Sequence, residues 1–298
     1  MTDALLVGRT PMKLSPQKAA VVADALFEAD RVDAATIEGV RFEHCTFANV
    51  SFKDAELTAC TFENCVFTEC YFRETVINSS RFLGCKFISC DFPKTAFREC
   101  TFVYAQFRSC YVPYADFESS LPTEPNLRRL LAENLAREAD ASGATSDGRL
   151  YRLQVYPAYE QYLLRGFLAS DDWSRRHFPS VAERAVAGVK LIARWGNRVL
   201  WGYGERGWVL VRNAVILTFG LFPLIFFLVR DDLSQTDGTL ARASYFLLSA
   251  DNMLSGTGFS GVDPTTSLSR LLVGLQVLVG LVFIGLAVTL LFRSITRR

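Results

Sequence analysis

Residues 60–74 read Cys60-Thr61-Phe62-Glu63-Asn64, Cys65-Val66-Phe67-Thr68-Glu69, Cys70-Tyr71-Phe72-Arg73-Glu74, three units of five that each place Phe two residues after a small one. Stepping by five from Phe62 in both directions gives Val32, Ile37, Phe42, Phe47, Phe52, Leu57, Phe62, Phe67, Phe72, Ile77, Phe82, Phe87, Phe92, Phe97, Phe102, Phe107, Val112 and Phe117. All of these are apolar, and 13 of the 18 are Phe. A period of five is neither the 3.6 of a helix nor the 2 of a strand, so the chain must turn a corner once per unit. From Val40 to Ala115 the position two before each apolar residue holds Cys, Ala, Val, Thr or Ser, and all eight cysteines fall in it. One large and one small column suit a narrow interior filled alternately. Polar residues between them, such as Arg41, Glu43 and His44 or Arg98, Glu99 and Thr101, are expected to face solvent.

These units resemble the pentapeptide-repeat family. The resemblance implies a right-handed quadrilateral β-helix with about twenty residues per coil, a little over four coils from Val32 to Phe117. Its length would be roughly 20 Å at the ~4.8 Å spacing of neighbouring strands. Stacking by twenty would align Cys45, Cys65 and Cys85 on one side, and Cys70, Cys90 and Cys110 on the next. Disulfides or a metal site are one reading of eight cysteines. Interior fillers are the stronger one, because the cysteines share an inward column with Ala, Val, Ser and Thr. Stacked pairs are close enough for a disulfide by distance, and a reducing compartment would prevent it.

The chain has 298 residues, 32 Lys+Arg against 31 Asp+Glu, and a net charge of +1. That balance argues against bulk binding of nucleic acid and against charge-driven disorder. Some pentapeptide proteins mimic DNA, which needs an acidic surface. The segment from Val32 to Phe117 holds eleven Asp+Glu and eight Lys+Arg, too small an excess. Mean hydropathy is positive, +0.18, and invites a search for membrane spans.

Glu124 to Asp140 reads as a helix with Leu127, Leu130, Leu131 and Leu135 on one face, and residues 142–148 read as a linker. Leu150 to Ala169 is a second helical stretch with Pro157 at a kink or break. Val181, Ala185, Val189, Ile192 and Val199 share a helical face apart from Lys190, Arg194 and Arg198, which suits a helix lying on a membrane surface. Asn213 to Val229, extended by Trp208 to Val211, and Leu271 to Phe292 are each long enough to cross a bilayer. The first residues lack a cleavable apolar core, so no signal peptide is expected. Basic residues cluster before the first span and after the second, whereas the connecting segment is acidic. Both termini and the rod are therefore expected on the cytoplasmic side of a bacterial inner membrane.

Between the spans lies a short apolar stretch from Leu240 to Met253. Ser255-Gly256-Thr257-Gly258-Phe259-Ser260-Gly261 and Val262-Asp263-Pro264-Thr265-Thr266 follow it. Span, half-helix, glycine-rich segment and span is how a re-entrant pore loop is built, because non-helical backbone at membrane depth must be buried or line water. Tyr245-Phe246, Thr257-Gly258-Phe259 and Asp263 to Thr266 resemble the two-span pore domain of potassium-type channels. Trp201-Gly202-Tyr203-Gly204-Glu205-Arg206 resembles bacterial proteins that join pentapeptide repeats to such a pore. The resemblance implies a homotetramer. Ser260 interrupts the potassium signature, leaving selectivity among cations open. Thr257, Gly258, Phe259, Ser260 and Gly261 are the expected filter, with Asp251 and Asp263 as pore carboxylates favouring cations.

The expected organisation is an N-terminal segment 1–31, a β-helix 32–120 and a helical linker 121–180, then an interfacial helix 181–207 and a pore domain 208–298. The alternative is a membrane-anchored scaffold whose spans tether the rod without conductance. His44 and His177 are the only histidines, and no Walker loop or nucleophile–base pair is evident, so an enzyme is not expected and no cofactor or metal is implied.

Overall fold

The computed structural model describes residues 11–14, 20–235, 242–254, 258 and 260–296. They fall into two compact units that divide between Gly188 and Val189.

The first unit is a four-walled β-solenoid. One wall stacks Leu26–Glu28, Thr46–Ala48, Val66–Thr68, Lys86–Ile88 and Gln106–Arg108 in parallel. A second stacks Thr36–Glu38, Glu56–Thr58, Val76–Asn78 and Ala96–Arg98, and a third stacks Val21–Ala23, Arg41–Glu43, Thr61–Glu63, Arg81–Leu83 and Thr101–Val103. Partners lie twenty residues apart, as in Phe42↔Phe62↔Phe82↔Phe102. The fourth wall has single bridges in place of strands, Arg31↔Ser51↔Tyr71↔Asp91. Pairing begins before the expected boundary at 32, because Val22 and Phe27 already continue the apolar column and pair with Phe42 and Phe47.

The Phe column is buried and its rings stack along the axis, with Phe62–Phe82 centroids 4.9 Å apart and Phe82–Phe102 4.6 Å, planes within 5°. The corner comes two residues after each Phe. From Asp24 to Ser109 every fifth residue is left-handed, with φ between 48° and 68°, and only Gly39 and Gly84 among them are glycine. Left-handed backbone is costly for residues with a Cβ. Each coil offsets it with a ladder bond to the next, as where His44 N donates to Glu63 O at 2.9 Å.

The small column does more than fill space. Cys60, Cys65, Cys70, Cys85, Cys90 and Cys100 each donate Sγ–H to the carbonyl 23 residues back, at 3.3–3.4 Å. Thr75 and Thr95 do the same with Oγ1 at 2.7 and 2.6 Å. All eight thiols are free and buried, and burial pushes Cys60 and Cys100 above the ordinary thiol value. A native sample at pH 8 is expected to take up no Ellman's reagent, while urea-unfolded chain should take up eight equivalents. Because Cys60 and Cys100 hold their protons longer in the fold than in the unfolded chain, their contribution to stability declines as pH rises above about 8.5. Rapid labelling of the folded protein would place the column at the surface.

Much of the segment expected as a helical linker packs on the solenoid. After a short turn of helix α1 (Tyr114–Phe117), α2 (Pro125–Ala141) and α3 (Thr145–Leu168) form an antiparallel hairpin against the last coil. Leu131, Leu135, Ala136 and Tyr151 join the core of the solenoid. Asn134 acts as a one-residue strand: its Oδ1 accepts from Phe107 N at 2.7 Å and its Nδ2 donates to Phe107 O at 2.8 Å. Tyr151 Oη donates to Val112 O at 3.1 Å, and Asp147 accepts from Tyr114 N and Tyr111 Oη. An exposed end of a sheet invites association, and this hairpin covers it. The helix α3 runs through Pro157 unbroken and starts at Thr145, so the expected linker shrinks to a turn at Gly143. Two helices follow, α4 (Asp172–His177) and α5 (Val181–Trp201). The helix α5 leaves Val181, Val189, Ile192 and Trp195 exposed.

In the second unit, α6 (Gly207–Ile216), a π-turn (Leu217–Leu221) and α7 (Phe222–Leu228) form one apolar rod. Pro223 cannot donate to residue 219, and the wider turn before it accommodates the loss. A shorter helix α8 (Arg242–Leu254) precedes a long α9 (Ser267–Thr296). Gly207–Leu228 and Ser267–Phe292 are long and apolar enough to cross a membrane. Most of their surface is uncovered: Trp208, Leu224, Leu228, Leu271, Leu278, Leu281 and Leu291 are all exposed. A soluble domain would bury such faces.

Candidate functional site between the two apolar helices

The helix α8 buries Tyr245, Leu248, Ser249 and Asn252, residues spaced three and four apart on one face. Tyr245 and Leu248 pack with Phe222, Phe226, Leu233 and Val262, whereas Met253 packs with Leu210 and Phe283. Within this apolar surround runs a chain of buried polar groups. Ser249 Oγ donates to Thr218 O at 2.7 Å, the carbonyl of the π-turn. Gln276 Nε2, from α9, donates to Ser249 Oγ at 2.7 Å and to Ser249 O at 3.0 Å. Asn252 Nδ2 closes the chain on Gln276 Oε1 at 3.2 Å. A buried polar group without a partner is expensive, so this chain ties the three helices to one arrangement.

At the end of α8 the buried Asp251 holds the loop that follows. Its Oδ1 accepts from Gly258 N at 3.1 Å and its Oδ2 from Ser260 N at 3.2 Å. Gly258 and Gly261 are left-handed, with φ of 81° and 62°. The loop then enters a two-stranded hairpin, Leu233–Gln235 against Val262–Pro264. Thr265 bonds back to Asp232 O through both N and Oγ1. Thr266 and Ser269 cap α9 reciprocally, each backbone N–H donating to the other's hydroxyl.

Of the expected filter, Gly258, Ser260 and Gly261 are described, with Ser260 buried and the two glycines exposed. Thr257 and Phe259 lie outside the described residues. Asp251 and Asp263 are not brought together. Asp251 is buried against loop N–H groups, whereas Asp263 is exposed on the hairpin opposite Ser234. Ser249, Asn252 and Gln276 were not anticipated; a lone Gln in an uncharged run of 22 residues was the available signal.

The chain thus combines a pentapeptide-repeat β-solenoid with a helical unit carrying two membrane-length helices. A family model described as the SV2A/B/C luminal domain matches residues 17–92. No curated protein matches. Among solved structures, HetL is a pentapeptide-repeat protein involved in heterocyst differentiation regulation from the cyanobacterium Nostoc sp. strain PCC 7120. It aligns with a TM-score of 0.21 and 9% identity over 32% of this chain and 43% of its own. Full-length QnrB1, a plasmid-mediated fluoroquinolone resistance protein, aligns with a TM-score of 0.21 and 12% identity over 35% of this chain and 63% of its own. The chain spans less than two thirds of either protein. The fold rests on the four-walled pairing itself.

Proposed function

We propose that the chain is a subunit of a homo-oligomeric cation channel in a bacterial inner membrane, with the solenoid on the cytoplasmic side. The observation that carries this reading is the Asp251 clamp: a buried carboxylate at the end of α8 fixes a glycine-rich segment between two membrane-length helices. Ionisable groups inside a membrane domain are costly and mark ion pathways. In this reading Asp251 supports the constriction from behind, and Gly258, Ser260 and Gly261 belong to its wall. One chain with two spans cannot enclose a pore. Closed cyclic symmetry supplies the remaining walls, and the likeness to potassium-type pore domains favours four copies.

The test is purified protein in planar bilayers under a KCl gradient, with oligomer mass measured in nanodiscs. A reversal potential directed to K⁺ is expected, and replacing K⁺ by Na⁺ ranks the two ions. A chloride-directed reversal overturns the cation assignment. A monomer without conductance leaves a membrane-tethered scaffold.

Asp251→Ala is expected to abolish current without dissociating the oligomer. It removes both acceptors of bonds worth about 1.5–3 kcal/mol each for a charged group. Asp251→Asn keeps one oxygen and should retain part of the current. Full current in Asp251→Ala would place the constriction elsewhere.

A further inference from the structure

The apolar rod that begins at Gly207 is preceded by a helix whose own apolar side is bare. The second half of α5, from Val189 to Trp201, belongs to the same compact unit as α6. Along it Val189, Ile192, Trp195 and Val199 recur every three or four residues and so share one side. The first three are 67%, 70% and 60% exposed. Lys190, Arg194 and Arg198 run along the opposite side. Residues 181–212 carry six cations, Arg184, Lys190, Arg194, Arg198, Arg206 and Arg212, against two carboxylates, Glu183 and Glu205. Glu183 accepts from Ser180 N at the start of α5, and Glu205 is buried. Between Arg184 and Gly204 there is no acidic residue.

The connection to α6 fixes where this bare side lies. Only residues 202–206 separate the two helices. Gly202, Tyr203 and Gly204 are all left-handed, with φ of 60°, 59° and 73°, so the chain turns instead of continuing one helix. Arg194 lies over the ring of Tyr203 at 5.8 Å. Asn213, inside α6, then holds the end of α5 alongside. Its Nδ2 donates to Leu200 O at 3.1 Å and to Val199 O, carbonyls of the last turn that have no partner within their own helix. Next to Asn213, Arg212 lies over the ring of Trp208 at 5.9 Å. Cations and indoles of this kind collect where a membrane span meets the headgroups. The last turn of α5 is thus held at the level where the apolar rod begins.

We propose that the second half of α5 docks on an anionic lipid surface. Val189, Ile192, Trp195 and Val199 enter the acyl boundary to a depth of about 5–10 Å. The stems of Lys190, Arg194 and Arg198 reach back along the helix to the phosphates of anionic headgroups. Asn213 is the positioning residue, since it keeps the helix beside the rod at headgroup level. This docking requires α6 to enter a bilayer, as in the reading above, and is independent of conductance.

The test places the environment-sensitive fluorophore NBD on Ile192→Cys in the full-length protein, reconstituted in phosphatidylcholine nanodiscs. Wild type treated alike supplies the background from native cysteines. Quenching is measured with phosphatidylglycerol or phosphatidylcholine carrying a nitroxide on the acyl chain, each at the same mole fraction. Both lipids should quench. The phosphatidylglycerol should associate about fivefold more strongly, the value of one cation near an anionic headgroup. In Lys190→Gln/Arg194→Gln/Arg198→Gln that preference should fall away while quenching persists. NBD on Lys190→Cys, on the opposite side, should be quenched less than on Ile192→Cys. NBD on Leu224→Cys, exposed on the apolar rod, reports separately whether the rod lies in lipid. Quenching at Leu224 with none at Ile192 means that water or a second copy covers the face; it overturns the docking and leaves the membrane reading intact. No quenching at either position overturns both. An equal response to the two lipids, or the same preference in the triple variant, overturns the recognition of anionic headgroups.

Discussion

Phe82→Asp should unfold the solenoid at a temperature where Arg81→Asp leaves it intact. Phe82 is 2% exposed and stacked between Phe62 and Phe102. Removing a buried Phe ring costs about 3–5 kcal/mol, and a carboxylate in its place, with no partner in an apolar column, adds several more or stays protonated. That sum approaches the whole stability of an ordinary domain, about 5–15 kcal/mol. Arg81, one residue before it, is exposed and has no comparable role. Surface substitutions of that kind stay within about 0.5 kcal/mol. Circular dichroism melts of the two variants decide the matter, and equal losses would overturn the assignment of inward and outward columns.

In the channel reading proposed above, Gly280→Ala is expected to abolish current, and Gly280→Val to prevent assembly of the second unit. A Cβ built on Gly280 lies 2.4 Å from the carbonyl oxygen of Met253 and 3.1 Å from its Cα. Both atoms are backbone at the end of α8, so no side chain can rotate away. The helix α9 must move from α8, which also pulls Gln276 from Ser249 and Asn252. Overpacking costs about 1–3 kcal/mol where side chains can adjust, and the upper end applies here. Gly285 is the control, because an added Cβ there meets nothing of its own chain within 4 Å. Gly285→Ala should retain current and gain about 1 kcal/mol of helix propensity. Equal behaviour of the two alanine variants would deny the close approach of α8 and α9.

The solenoid was legible because its period of five commits every side chain to one side of the wall. Its corners were not: Ala59, Lys94 and Tyr104 adopt left-handed backbone without any residue preference to announce it. The capping hairpin was half legible. The leucine stripe of α2 marks a helix, but Asn134 mimicking a strand depends on which carbonyl it meets, and no local pattern encodes that. In the second unit, length and hydropathy place both apolar helices. They cannot say which way Asp251 points. A carboxylate after a half-helix suits a pore wall and a loop anchor equally well, and only packing against Gly258 and Ser260 distinguishes them.

The hairpin cap has a consequence for how such chains change length over generations. Asn134 grips Phe107 and Tyr151 grips Val112, positions on particular sides of the last coil. Gaining or losing one unit of five would turn the end of the rod by a quarter revolution and present the cap with the wrong side. Gaining or losing twenty restores the same face one storey higher or lower. Duplication and deletion within this gene should therefore be tolerated only in whole storeys, and the rod's length should be ratcheted in steps of about 4.8 Å.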